Sequence, residues 1–404
     1  MPSNQIQFVA NTYAGELKKG FMAATLLGAD SVKRGFWTVM EDVKFKDTIL
    51  DLDDVVFFQN PSDAFSPQNS QPSQNETYVQ PVPYEFMQQL NYSDLVKSWE
   101  SRDMKSGAFG DYEAPTYLSD WMVNRYIPKI AQLNESLYYR GKQGTPNAIF
   151  TDNYPGLLPR VEADGSVFKL NLKTTEVVIT AIDDTGRVTY SGSDNPFRDG
   201  DVVTLVTVTG NITDNTFGTP ISLQGQSYVI RNTQPNSFQL YANYNRLNRT
   251  LASFTGTSTG GTAQFINVSN VLTVLSSIYA QIDEADRQQD DIKILAPYHI
   301  MYAYRTAQSE KAINVLNAYP QKKSTDFEGM SLEAMNFWNG NSIMVARTSN
   351  LFLGVDLLSD DTDLRVKYLG DVTLDNFVRM KARMKSDTNF KFGNEILWLR
   401  PSEN

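Results

Sequence analysis

The chain has 404 residues, 20% of them charged and 12% aromatic, and a formal charge of −10, which suits two or three folded domains. It has no cysteine and a single histidine, His299, so disulfides, thiolate metal sites and cysteine nucleophiles are excluded and a zinc site lacks ligands. The acidic balance argues against nucleic-acid affinity over the whole surface but leaves room for one local basic face.

The N-terminal "MPSNQIQFVANTYAG" lacks a basic start followed by an apolar core, and no run of 18 apolar residues occurs. The expectation is a soluble protein made and used in a cytoplasm. Residues 15–30 carry Leu17, Phe21 and Leu26–Leu27, the pattern of a short amphipathic helix. Two strand-like runs follow, "FWTVMEDVKF" and "VVFFQ", separated by "KDTILDLDD". Residues 59–83 are rich in Pro, Ser, Gln and Asn and read as a linker, or as an arm that orders against a neighbour.

The clearest helix spans 115–141. Pro115 suits a first turn, and Leu118, Met122, Tyr126, Ile130, Leu133 and Leu137 recur every three or four residues. Pro128 predicts a kink and Gly141 a stop. After Lys173 no lysine recurs until Lys293, and residues 175–265 alternate short β-rich runs with turn dipeptides. Helical sequence on both sides makes this an inserted all-β module. Val271, Leu275, Ile278 and Ile282 restore helical spacing, "DIKILAP" reads as a strand, and Pro297 opens a helix to about Ala318. From Ile343 the chain is β-rich, so the fold class is α+β, its strands drawn from distant parts of the chain.

Catalytic signatures fail one after another. His299 lies among aromatic and apolar residues and reads as a half-buried helical histidine. Ser166–Lys169 fits S-x-x-K and Ser193–Asn195 fits S-D-N, but K-T-G is absent and Ser166 precedes a strand rather than opening a helix. The pairs Asp53–Asp54, Asp183–Asp184 and Asp290–Asp291 read as turn and cap residues. "GTSTGG" at 256–261 reads as a flexible loop without a Walker lysine. No enzyme, metal or cofactor is expected.

Order of segments carries a resemblance. "DLVKSWESRDMKSGAFGDYEAPTYLSDWMVNRYIPKIAQLNESLYYRGK" at 94–142, "GLLPRVEADGSV", "NVSNVLTVLSSIYAQI", "DDIKILAPYHIMYAYRTA" and "LFLGVDLLSDDTDLRVKYLGD" with "NFVRMKARMK" and "EILWLRP" together resemble a tailed-bacteriophage major capsid protein of the Hong Kong 97 type. The resemblance implies an N-terminal arm (1–35), an extended loop (36–90), a peripheral domain with a long spine helix (91–142 and 345–404, the last strand free to return to the axial domain) and an axial domain (143–174 and 266–344). Residues 175–265 resemble the small β-sandwich modules inserted in phage structural proteins. The implied function is an icosahedral shell subunit, forming hexamers and pentamers around double-stranded DNA. Implied partners are further copies of the chain, portal, scaffold, protease and decoration proteins, and non-specifically held DNA, with no membrane. The implied location is the virion capsid, assembled in the host bacterial cytoplasm. Alternatives are a tail, neck or decoration component, or an encapsulin-like compartment.

One stretch asks for a role beyond folding. From Val378 to Lys385 apolar and basic residues alternate, which marks a strand burying Val378, Met380, Ala382 and Met384 and turning Arg379, Lys381, Arg383 and Lys385 outward. Three readings stay open: a solvated sheet face, an inter-subunit seam with acids such as Asp360, Asp361 and Asp363, or contact with DNA.

Overall fold

The computed structural model describes residues 24–53, 73–91, 116–141, 154–171, 176–192, 196–216, 220–242, 251–282, 284–287, 289–314, 326–336, 338, 340–356, 364–368 and 377–400. The fold is α+β with strands predominating, and no described helix is long and apolar enough to cross a membrane. The chain divides into two compact units. The first comprises Met1–Thr145, Phe150–Gly156 and Phe352–Lys391; the second comprises Pro146–Ile149, Leu157–Leu351 and Phe392–Asn404.

In the first unit the helices are α1 (Asp30–Lys33) and α2 (Thr116–Arg140), and the strands β1 (Thr38–Met40), β2 (Asp47–Asp53), β3 (Ser73–Val79) and β4 (Val82–Asn91). Numbered along the whole chain, its later strands are β19 (Leu351–Val355), β20 (Leu364–Tyr368) and β21 (Phe377–Phe390). The sheet runs β1–β19–β21–β20, with β4 also paired to β21. β21 is its centre because its period-two pattern gives one wholly apolar face: Val378, Met380, Ala382 and Met384 are all buried. Each large side chain there contributes roughly 1.5–3 kcal/mol. Beyond Met384 the alternation stops, and Ser386, Asp387 and Thr388 are buried together.

Helix α2 packs its buried row against residues 25–37. Asn134 Nδ2 donates to Thr25 O at 3.0 Å, Tyr138 OH donates to Leu26 O at 3.0 Å, and Trp37 stacks edge-on to Tyr138. Gly141 stops the helix by donating to Leu137 O at 3.0 Å. Its carbonyl accepts from Gly156 N at 2.8 Å, and a Cβ on Gly156 would sit 2.7 Å from Gly141 N, so this close approach requires glycine.

Glu135 lies inside the same packing. Its Oε2 accepts from Ser31 N (3.1 Å) and Ser31 Oγ (2.8 Å), and Trp37 Nε1 donates to the same serine hydroxyl at 2.9 Å. Among the described residues its other carboxylate oxygen has no hydrogen-bond partner. Burial pushes this carboxyl up to about 7, against the opposing effect of the Ser31 hydrogen bonds.

The second unit holds helices α3 (Leu157–Ala163), α4 (Val271–Gln281), α5 (Glu284–Arg287) and α6 (Tyr298–Asn314). Its mixed sheet uses β5 (Phe168–Asn171), β15 (Ile292–Pro297), β16 (Asp326–Phe327), β17 (Met330–Met335), β18 (Ile343–Arg347) and β22 (Leu397–Arg400), in the order β16–β17–β15–β18–β22–β5. Leu275 and Ile278 of α4 and Ile300 of α6 share one core with Ile294, Leu332 and Val345 of this sheet.

Residues 176–265 supply β6 (Glu176–Ile182), β7 (Arg187–Tyr190), β8 (Val202–Gly210), β9 (Thr213–Asp214), β10 (Ile221–Ser222), β11 (Ser227–Gln234), β12 (Ser237–Ala242), β13 (Phe254–Thr255) and β14 (Ser258–Phe265). Six of them close as a barrel, β11–β12–β7–β6–β14–β8, around Val188, Val203, Leu205, Tyr228, Ile230, Phe238 and Leu240. β9, β10 and β13 form a small separate sheet. The barrel is joined to the rest of its unit through Asn341, which is fully buried. Asn341 Nδ2 donates to Val202 O (3.0 Å) and Gln264 O (3.0 Å), while Oδ1 accepts from Ile266 N (3.1 Å) and lies 3.2 Å from His299 Nε2. One amide thus satisfies backbone groups where β8 and β14 end against α6 and β18.

Several expectations need correction. The module is a closed barrel rather than a two-sheet sandwich, because β8 pairs with both β11 and β14 and so leaves no gap between two sheets. "GTSTGG" is not a loop throughout: Ser258–Gly261 belong to β14, which accommodates them through register shifts against β8. "KDTILDLD" is a strand rather than a spacer, and residues 73–79 of the presumed linker pair with it, Asp47↔Val79 through Asp53↔Ser73. The polar composition of 73–79 hid this strand, since a two-stranded ribbon needs no apolar face of its own. "VVFFQ" and most of the helix expected over 15–30 lie outside the described residues.

Two outcomes follow. Asn341→Ala removes the hydrogen bonds to Val202 O, Gln264 O and Ile266 N in a buried site and lowers stability by about 3 kcal/mol, measurable by urea unfolding. Glu135 has a folded-state pKa raised above its unfolded value. Its stabilising contribution is therefore complete below about pH 4.5 and lost as pH rises through about 7, an effect of about 3 kcal/mol. Glu135→Gln flattens the pH–stability profile across that window, and an unchanged profile contradicts the assignment.

Candidate functional site

The outward face of β21 is where the sequence concentrates unexplained charge. Arg379 and Arg383 are exposed, and Lys381 and Lys385 are half-buried. Alternate residues of a strand stand roughly 6.6 Å apart, so the four cations form a regular ladder. β4 lies antiparallel beside it, pairing Arg379 with Gln89, Lys381 with Met87, Arg383 with Glu85 and Lys385 with Pro83. Along β4 every second residue is exposed, so Glu85, Met87 and Gln89 share this face.

The ladder has partners within its own chain. Lys381 Nζ lies 2.7 Å from Glu85 Oε2, and Arg383 reaches the same oxygen at 3.6 Å. The hydrogen bond from Lys381, with the charges of Lys381 and Arg383, holds the Glu85 carboxyl below the usual carboxylate range. Arg379 Nε donates to Gln89 Oε1 at 2.8 Å, which supplies a dipole but no charge. Lys385 differs in kind: its side chain is 12% exposed and lies 3.6 Å from a carboxylate oxygen of the fully buried Asp356. On the other side β20 runs antiparallel, its register setting Arg365 opposite Lys381 and Lys367 opposite Arg379. Asp360, Asp361 and Asp363 lie outside the described residues.

Sequence reasoning thus found the ladder but missed its neighbours. The signal was present: "YEFMQQL" and "LRVKY" both alternate, and the second places Arg365 and Lys367 between Leu364, Val366 and Tyr368. What no pattern supplies is which strand lies beside which.

The residues that matched catalytic patterns have local partners where they lie among the described residues. The described polar neighbour of His299 is the Asn341 amide, and burial pushes the imidazole down to about 4, so the ring is neutral at neutral pH. Ser166 donates to Asp164 Oδ1 at 2.6 Å in a local turn; Ser193–Asn195 lie outside the described residues. Asp183 caps its own turn through Thr185 and Arg187 backbone N–H groups, and Asp291 pairs with Arg347 at 3.2 Å. Among the described residues no cluster of ligating side chains is arranged for a metal.

No protein-family profile and no curated protein matches the chain. Among solved structures, a chain of the satellite phage P4 procapsid, which includes the size determination (Sid) protein, aligns with 97% of this chain and 93% of its own length, at a TM-score of 0.50 and 9% identity. The fold is that of a phage procapsid chain. A chain from the capsid of the native GTA particle aligns at a TM-score of 0.43 and 9% identity, covering 99% of this chain and 96% of that one. One from the capsid of Myoviridae phage XM1 aligns at 0.42 and 11%, covering 92% of each.

The two kinds of cation predict different costs. Lys385→Met removes the cation beside the fully buried Asp356 carboxylate and lowers stability by about 3 kcal/mol. Arg383→Ala removes an exposed contact and costs less than about 1 kcal/mol. Denaturant midpoints of the two variants check this, and equal effects contradict the distinction.

Proposed function

We propose that the chain is a major capsid protein, a structural subunit that assembles into hexamers and pentamers of an icosahedral shell enclosing double-stranded DNA. The observation that carries this reading is the likeness to the P4 procapsid chain, which runs almost the full length of both chains. In Hong Kong 97 terms, the β2–β3 ribbon corresponds to the extended loop, α2 to the spine helix and the sheet around β21 to the peripheral domain. The β16–β5 sheet with α4 and α6 corresponds to the axial domain, and the barrel to an insertion in it.

The physical chemistry suits a shell. A two-stranded ribbon is marginally stable alone and gains from lying on a neighbour. Phe45, at the base of this ribbon, is 83% exposed, a large apolar surface left for such a contact. Repeating one heterologous contact closes a ring, and rings then join through further modest contacts that act together. The subunit works in the virion, is assembled in the bacterial cytoplasm, and meets portal, scaffold, protease or decoration proteins there.

Negative-stain electron microscopy of the purified chain tests this. The expected result is closed shells or sheets of hexamers; a protein that stays monomeric at high concentration, with or without DNA, refutes it.

A further inference from the structure

We propose that the basic face of the β4–β21–β20 sheet docks on an acidic, partly apolar surface of a second copy of this chain. This rests on the shell reading above and adds to it the seam and its chemistry.

The first observation is the cross-strand register. Arg365 stands opposite Lys381, and Lys367 opposite Arg379. The register thus brings a second basic strand beside the ladder. Among the described residues, Glu85 answers Lys381 and Arg383 together, Asp356 answers Lys385, and Arg379 donates to the neutral amide of Gln89. Among the described side chains, the four cations of β21 meet two carboxylates, a surplus of +2, so in a chain of formal charge −10 the remainder sums to −12. An anionic surface laid over the patch offsets that surplus of positive charge. Other copies of the chain are the most abundant source of such a surface in a shell built from it.

The second observation decides between protein and nucleic acid. Met87 is 62% exposed and stands in register with Lys381, in the middle of the charged face. A phosphate backbone has no use for an exposed thioether, and Glu85 beside it repels phosphate. Protein interfaces, by contrast, are enriched in methionine and arginine at their centres. Met87 with Arg379 and Arg383 around it has that composition, and Lys381 is partly satisfied by Glu85. Lys385, tied to buried Asp356, belongs to the fold rather than to the docking surface.

The test is a charge reversal of the two exposed arginines in the full-length chain, Arg379→Glu with Arg383→Glu. A second variant, Met87→Asp, leaves all the cations in place. Each is compared with wild type for unfolding midpoint, for the lowest concentration that gives shells, and for nucleic acid retained in them. Both variants are expected to keep the wild-type midpoint and to need roughly tenfold more protein to assemble. Wild-type assembly is expected to weaken as ionic strength rises. If wild type assembles and both variants do so at the same concentration, the docking surface is wrong while the shell reading stands. Normal assembly with loss of retained nucleic acid overturns it in favour of phosphate contact. Failure of wild type to assemble overturns both readings.

Discussion

The first unit depends on the burial of one face of β21. Val378, Met380, Ala382 and Met384 point inward because a strand alternates its side chains, and that choice forces Arg379, Lys381, Arg383 and Lys385 to the opposite face. A one-residue slip in register would bury four cations, so the apolar row fixes the pairing with β4 and β20 as firmly as it fixes the core. Beyond Met384 the strand buries polar residues, each with a partner. Ser386 Oγ lies 2.9 Å from Tyr154 OH, Asp387 accepts from Gln80 N at 2.8 Å, and Thr388 donates to Tyr138 O at 3.1 Å. The charged face is thus a consequence of the core before it is anything else.

Two buried polar side chains illustrate opposite solutions to enclosure. Asn341 uses both ends of its amide, donating to two carbonyls and accepting from a backbone N–H, and so joins the barrel to the sheet and helices of its unit. Its partners also fix which way the amide points, because donors and acceptors around it are segregated. Glu135 is half satisfied: one oxygen is held by Ser31, the other meets nothing among the described residues. A carboxyl in that position is better protonated than charged. The amide acts as a clamp, while the acid makes the packing of α2 against residues 31–37 responsive to pH.

The fold and the electrostatics bear on assembly in different ways. Likeness to a procapsid chain is one of backbone fold, at 9% identity and a TM-score of 0.50. An acidic chain that gathers Arg379, Lys381 and Arg383 on one sheet face and leaves the exposed Met87 among them has there a surface suited to contact.

Most of the local structure was legible in the sequence. Periodicity gave α2, α4 and β21, because side-chain spacing is a property of the chain itself, and β-rich runs between turn dipeptides gave β6, β8, β11 and β12 of the barrel. It failed at β3, whose polar residues carry no period, and at Ser258–Gly261, whose glycines mimic a loop. The ladder was legible as well, and the absence of cysteine excluded whole classes of chemistry. Only tertiary structure decided what stands beside the ladder: Glu85 and Gln89 lie some 290 residues from the cations they meet. The same holds for Asp356 beside Lys385, for Asn341 at the barrel's foot and for the opposed like charges of β20 and β21. Alternation says which face a residue takes; pairing between distant segments is set by the packing of the whole core, and no local pattern encodes it.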